Sequence, residues 1–352
     1  MRTKKSTKSW TWVAAVLVSG LALAADAGRQ GIPASFPALI GPFLGQPAPG
    51  ESSELFAPGI VSTGMTEREV AVSPDGREIF FEQSGGLVVT IMATRLENGR
   101  WTEPIIAPFA SDMKFFYFEP AFSPDGETVF FLSTLPRAGR VPKPGWGNQG
   151  IWASRRGDDG TWGKPYDIGV PVNSDAGEFY PSLTNDGTLY FTRSNPDGKG
   201  SKIWRARRAE GSYLEPEALP EVVNGKSAAY NACIAPDESY LIACVDGRED
   251  SLAPGKPNYY VFFRSPDDRW GEGVNLGPEV NLPGASATAP SVTRDGRFLF
   301  FGSTFGRDFD GSAGPATTLR LFDYFCRPGN GDSDAYWIKA SFLNTLRPAR
   351  KV

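Results

Sequence analysis

"EPAFSPDGETVFFLS" (Glu119–Ser133) sets Ser-Pro-Asp-Gly between two apolar runs. Proline presets φ, aspartate bonds back to the backbone and glycine takes the positive-φ position, so the stretch reads as a hairpin. Four more copies follow the same plan: VAVSPDGREIFFEQS (Val70–Ser84), PSLTNDGTLYFTRS (Pro181–Ser194), ACIAPDESYLIACV (Ala232–Val245) and PSVTRDGRFLFFGS (Pro290–Ser303). The turn aspartates are Asp75, Asp125, Asp186, Asp237 and Asp295, spaced by 50, 61, 51 and 58 residues. Only the fourth copy lacks the glycine, with Glu238 in its place.

Two further strands follow each hairpin. The third reads GIWASRR (Gly150–Arg156), KIWRARR (Lys202–Arg208) or YYVFFRS (Tyr259–Ser265), and turns ending at Trp101, Trp162 and Trp270 recur beside these strands. The fourth lies in PYDIGVPVN, PEALPEVVN and GVNLGPEVN, which end at Asn173, Asn224 and Asn281. Four antiparallel strands at this period make a propeller blade. After the fifth hairpin, Asp334–Ser341 matches a third strand with no fourth behind it, whereas Glu54–Ser62 matches a fourth strand with no hairpin before it. The N-terminal segment is therefore expected to complete the last blade and leave no open sheet edge. The fold class is all-β: one propeller of five four-stranded blades over residues 54–348. Six blades is the alternative, if residues 28–53 or 304–333 supply more strands.

These PDG-containing repeats resemble the WD-like repeats of the TolB-type propeller family, over nearly all of Glu54–Pro348. The resemblance implies the fold. It leaves activity open, because such repeats serve binding scaffolds, peptidase accessory domains and sugar-active proteins alike.

The chain begins with Arg2, Lys4, Lys5 and Lys8, then the apolar stretch Trp10–Ala25 and small residues at A-x-A spacing. This reads as an export signal at residues 1–27, cleaved after Ala24 or Ala27, with residues 28–53 as an extension. Sixteen apolar residues fall short of the ~20 that span a bilayer. The mature chain is expected to be periplasmic or extracellular, monomeric and without a transmembrane segment. Cleavage moves the net charge from −4 to about −7, which disfavours nucleic acid as a partner. Cys233 and Cys244 flank one hairpin as diagonal neighbours, a separation long for a disulfide, so buried thiols are expected.

The chain has no histidine. Ser-His-Asp and Cys-His catalysis and His-ligated metals are excluded; no phosphate-binding glycine loop is present, and Asp246, Asp308 and Asp310 lack a calcium-loop spacing. No cofactor or metal is expected.

In a propeller the first strands line the central channel, and the loops joining strands two to three and four to one share one face. Positions that repeat in every blade serve the blade; positions that diverge are the candidates. At the channel mouth these are Arg68, Glu69, Glu119, Tyr180, Tyr230 and Asn231 as ligand contacts, and Glu69, Glu119 and Glu178 as carboxylates able to act on a glycan. The same face carries the long loops Thr134–Gln149 (with Arg137, Arg140, Lys143 and Trp146), Asp246–Asn258 and Thr304–Ser333. Two functions are compatible: a binding protein for carbohydrate, peptide or protein on the loop face, or a carboxylate-based glycan hydrolase or lyase. The recurrent Asn173, Asn224 and Asn281 are expected to build turns.

Overall fold

Five antiparallel sheets surround one axis. The computed structural model describes residues 36–348 except 144, 226 and 227, and the propeller lies in the compact unit Ile40–Val352. The export signal expected at 1–27 lies outside the described residues.

Blade 1 comprises Thr66–Val72, Glu78–Gly85, Val88–Glu97 and Ile105–Ile106. Blade 2 is Tyr117–Phe122, Thr128–Ser133, Gly150–Arg155 and Tyr166–Asp167, and blade 3 is Glu178–Leu183, Leu189–Ser194, Ser201–Ala206 and Glu217–Ala218. Blade 4 is Ala229–Ile234, Tyr240–Val245, Asn258–Phe263 and Val274–Asn275. Blade 5 takes Ala287–Val292, Phe298–Ser303 and Asp334–Lys339 from the C-terminal end and Glu54–Leu55 from the N-terminal end. Glu54 pairs with Trp337 and Leu55 with Tyr336. The ring is closed as the sequence predicts, although the closing strand is only two residues long before Phe56 donates its N–H to Ala335 O.

Residues before that strand secure the seam. Phe43 packs against Phe298 and Trp337 at centroid distances of 5.2 and 5.3 Å. Gln46 donates to Leu55 O and accepts from Ala57 N–H, and Gly41 O accepts from Trp101 Nε1 at 2.7 Å. The described residues of this extension add no blade strand; they join the outer parts of blades 5 and 1. The insert 304–333 adds none either, and instead forms the helix Thr318–Phe325, N-capped by Thr317. Among the described residues no helix is long and apolar enough to cross a membrane.

The core lies between blades, where side chains from facing sheets interdigitate. Between blades 1 and 2, Phe80 stacks on Phe122 at 4.9 Å and meets Trp162 edge-on. Trp162 Nε1 donates to Glu78 Oε1 at 3.0 Å, and Arg156 donates to Glu78 Oε2 at 2.6 Å while lying over the Trp162 ring. The recurrent tryptophan here bolts one blade to the next.

The hairpin turns form as read. Asp75 Oδ1 accepts from Ser73 Oγ and Arg77 N–H, and the same pattern holds at Asp125 and Asp295. Glycine holds the left-handed position at Gly76, Gly126, Gly187 and Gly296; Glu238 adopts it in blade 4 with φ 61°. Asn173 mimics a strand edge: its Oδ1 accepts from Ile151 N–H and its Nδ2 donates to Ile151 O. Asn224 does so at Ile203, and Asn281 at Tyr259. All three serve the fold. Cys233 pairs in register with Ile242 and Cys244 with Tyr230, so the cysteines are diagonal, and both are buried free thiols.

Candidate functional site at the channel mouth

Every inner strand carries a register shift at the same place, between Arg68 and Ala71 in blade 1 and at the equivalent residues of the others. In four blades the bulged residue is left-handed without being glycine: Glu69 at φ 45°, Glu119 at 60°, Tyr180 at 55° and Asn231 at 49°. Such conformations cost about 1–3 kcal/mol each and persist only where surroundings fix them. Neighbouring blades supply the fixing. Tyr180 N–H donates to Glu119 Oε2 at 2.6 Å and Asn231 N–H to Thr192 Oγ1 at 3.1 Å.

The bulge directs Glu69, Glu119, Tyr180 and Asn231 toward the axis. Arg68 bridges two of them, with Nη2 2.6 Å from Glu69 Oε1 and 4.0 Å from Glu119 Oε1. Its Nε is 3.8 Å from Glu82 Oε2. Tyr230 lies within electrostatic range of the same guanidinium. Glu82 is a member that sequence reading did not find. Its signal was a carboxylate directly after the apolar run Ile79–Phe81, where blades 2, 3, 4 and 5 have Leu132, Thr192, Cys244 and Gly302.

One guanidinium cannot balance three buried carboxylates. Burial, then the charge of Glu69, pushes the Glu82 and Glu119 carboxyls well above the usual range, and burial raises Glu69 too. The cluster therefore holds protons at neutral pH. Among the described residues, neither oxygen of Glu82 has a hydrogen-bond partner within bonding distance, nor do Glu69 Oε2 and Asn231 Oδ1.

Glu178 stands apart from this group. It takes the N–H and hydroxyl of Ser174 and a 2.8 Å ion pair from Arg193, so both oxygens clamp the loop that enters blade 3. Glu67 holds Thr63 in the same way in blade 1. The channel below the cluster encloses a cavity of only about 80 Å³, far under the roughly 300–1,000 Å³ of typical ligand pockets.

The roomy part of this face lies outward, between blades 2 and 3. An open cleft of about 960 Å³ is bordered by Arg137, Arg140, Lys143, Trp146, Gln149 and Asn195. Trp146, 51% exposed, rests on Phe116 and Phe118 at centroid distances of 5.1 and 5.2 Å. Phe118 in turn lies 5.6 Å beneath the Arg68 guanidinium, whose side chain is 24% exposed. An aromatic ledge thus runs from the cleft to the channel mouth. Among the described residues no cluster of three or more His, Cys, Asp or Glu side chains is placed to hold a metal.

No protein-family model matches the chain, and no curated protein does. Among solved structures it is similar to TolB from Acinetobacter baumannii (14% identity, TM-score 0.43), covering 79% of this chain and 55% of that one. It is also similar to an endo-arabinase from Bacteroides thetaiotaomicron (14%, TM-score 0.43; 71% of this chain, 92% of that one). A gluconolactonase from Xanthomonas campestris matches at 15% and 0.42, over 77% and 83%. The chain spans about half the length of TolB. At these identities and TM-scores the likenesses carry no functional argument.

Proposed function

We propose that the protein is an exported propeller that binds a carbohydrate or peptide ligand on its loop face, along the ledge from Trp146 to Arg68. The observation that carries this reading is the contrast in space. The cleft at Trp146 has the volume and exposed aromatic face of a ligand site, whereas the channel cavity is too small for one. Tryptophan offers rigid contact area at small entropic cost, and sugar rings and peptide side chains both pack on such a face. The basic start and apolar stretch before Ala27 support export. Glycan and peptide arrays probed with the mature protein test the proposal. Trp146→Ala should weaken any hit at least tenfold with the thermal midpoint unchanged; an equally strong signal from the variant would remove the ledge from the site.

A second reading is supported by the raised carboxyls of Glu82 and Glu119, which retain a proton that a general acid could deliver. In that reading Arg68 and Glu69 set the proton balance, and the protein is a glycan hydrolase or lyase.

A further inference from the structure

We propose that the cleft between blades 2 and 3 takes an acidic polysaccharide, a glycan whose sugars carry carboxylate or sulfate groups. This rests on the reading of that cleft as the ligand site and names its ligand class. The chain has a formal net charge of −4, yet the cleft is bordered by three cations, Arg137, Arg140 and Lys143, against one carboxylate, Asp175.

The three cations have different tasks. Arg137 is buried and committed: its Nε donates to Asp167 at 3.1 Å and its Nη1 to Ser174 O at 2.7 Å. It fixes the floor. Arg140 is 34% exposed and uses one nitrogen for both Ser174 O and Asp175. Its other guanidinium nitrogens have no partner among the described residues, so they remain available to a ligand. Lys143 is exposed, and its ammonium has no carboxylate within ion-pair distance among the described residues.

The loop is preorganised to present Lys143 beside Trp146. Asn148 accepts from Lys143 N–H at 2.8 Å and donates to Lys143 O at 2.7 Å, closing the turn on itself. The lysine stem then crosses Gly147, where a Cβ would stand 2.5 Å from Lys143 Cβ. A side chain at 147 would push the lysine away. A neutral sugar would use the indole face and hydroxyl contacts but would bring no countercharge to the unpaired cations. A uronate or sulfate on the same sugar reaches the ammonium and the free guanidinium edge while its ring covers Trp146. Each such contact is a charge-assisted hydrogen bond, and the attraction is screened by salt.

Affinity electrophoresis and calorimetry of the full chain with polygalacturonate, dextran sulfate and neutral dextran test this. The expected result is binding to one or both acidic polymers at least tenfold tighter than to dextran, weakened severalfold at 0.5 M salt. Lys143→Gln should cost at least fivefold, whereas Lys164→Gln, outside the cleft, should cost nothing. Retention by polygalacturonate alone assigns carboxylate; retention by dextran sulfate alone assigns sulfate. Dextran binding as tightly as the acidic polymers, in a Trp146-dependent way, keeps the cleft as a ligand site and overturns its acidic specificity. Equal losses from Lys143→Gln and Lys164→Gln mean diffuse charge and overturn it as well, as does binding to none of the three polymers.

Discussion

Gln83 donates to Glu67 Oε1 at 3.2 Å in blade 1, at the register position where blade 3 sets Arg193 against Glu178. The two glutamates clamp equivalent loops, but Glu67 has no ion-pair partner among the described residues. Burial accordingly pushes its carboxyl up to about 8, against the hydrogen bonds from Thr63 and Gln83. An acid whose folded pKa exceeds its unfolded value of roughly 4.3 stabilises the fold fully below that value. Its contribution is lost as pH rises toward 8. The raised carboxyls of Glu82 and Glu119 act in the same direction. The thermal midpoint should therefore be lower at pH 8.5 than at pH 5, and Glu67→Gln should narrow that gap. A gap of unchanged size in the variant would exclude Glu67 from the titration.

The hairpin aspartates work on the acid side. Burial opposes ionisation of Asp75, Asp125, Asp186 and Asp295, but hydroxyl and N–H donors outweigh it and hold each carboxyl below the usual range. Depressed carboxyls stabilise above the unfolded pKa of roughly 3.9, and that contribution fades as pH falls through the folded pKa. Stability should therefore fall on the acid side as these carboxylates take up protons. Asp125→Ala should cost about 1 kcal/mol at pH 6 by removing the turn acceptor, and Asp125→Asn should flatten the acid limb. Denaturant melts across pH 2.5–6 measure both.

Glu238 is an expensive residue at a glycine position. Replacing it with glycine relieves a left-handed backbone worth about 1–2 kcal/mol. It also deprives the buried Tyr190 hydroxyl of an acceptor at 2.7 Å and Arg264 of a 2.6 Å ion pair. Those charged contacts are worth about 1.5–3 kcal/mol each, although Asp268 continues to hold Arg264 at 2.7 Å. The losses exceed the gain, so Glu238→Gly should destabilise by about 1–3 kcal/mol in urea melts. A more stable variant would show that strain dominates.

The blade count and ring closure were legible because they depend on local chemistry: turn residues at fixed offsets, alternating strands and matching orphan strands at the two ends. The channel-mouth bulge was not legible. Glu69, Glu119, Tyr180 and Asn231 have no residue type common to all four that marks a left-handed position, and acceptors from distant residues, such as Thr192 for Asn231 N–H, help hold them left-handed. The repeats align Glu178 with Glu67 and Tyr117 rather than with Glu119, but only the register opposite Arg193 shows it to be a clamp instead of a channel-mouth carboxylate. The helix Thr318–Phe325 was read as loop, although Thr317 at its N-cap and the apolar spacing of Leu319 and Phe322 were available signals.

Glu119 offers the test that separates latch from chemistry. Its Oε2 accepts the N–H of Tyr180, a buried residue at φ 55°, while its Oε1 faces Arg68 at 4.0 Å. Alanine leaves that buried N–H without an acceptor and should cost about 1–3 kcal/mol. Glutamine retains a carbonyl oxygen for Tyr180 and removes a carboxyl whose ionisation is disfavoured there. Glu119→Gln should therefore match or exceed the wild-type midpoint at pH 8, with Glu119→Ala well below both. Ligand affinity at the Trp146 cleft should stay within about twofold for the glutamine variant, since the substitution leaves the ledge intact and a single charge-assisted contact is worth far more than that. If a glycan that the protein degrades is found, and Glu119→Gln cuts its turnover by about a hundredfold or more with the fold intact, the proton on this carboxyl is chemical and the hydrolase or lyase reading displaces the binding one.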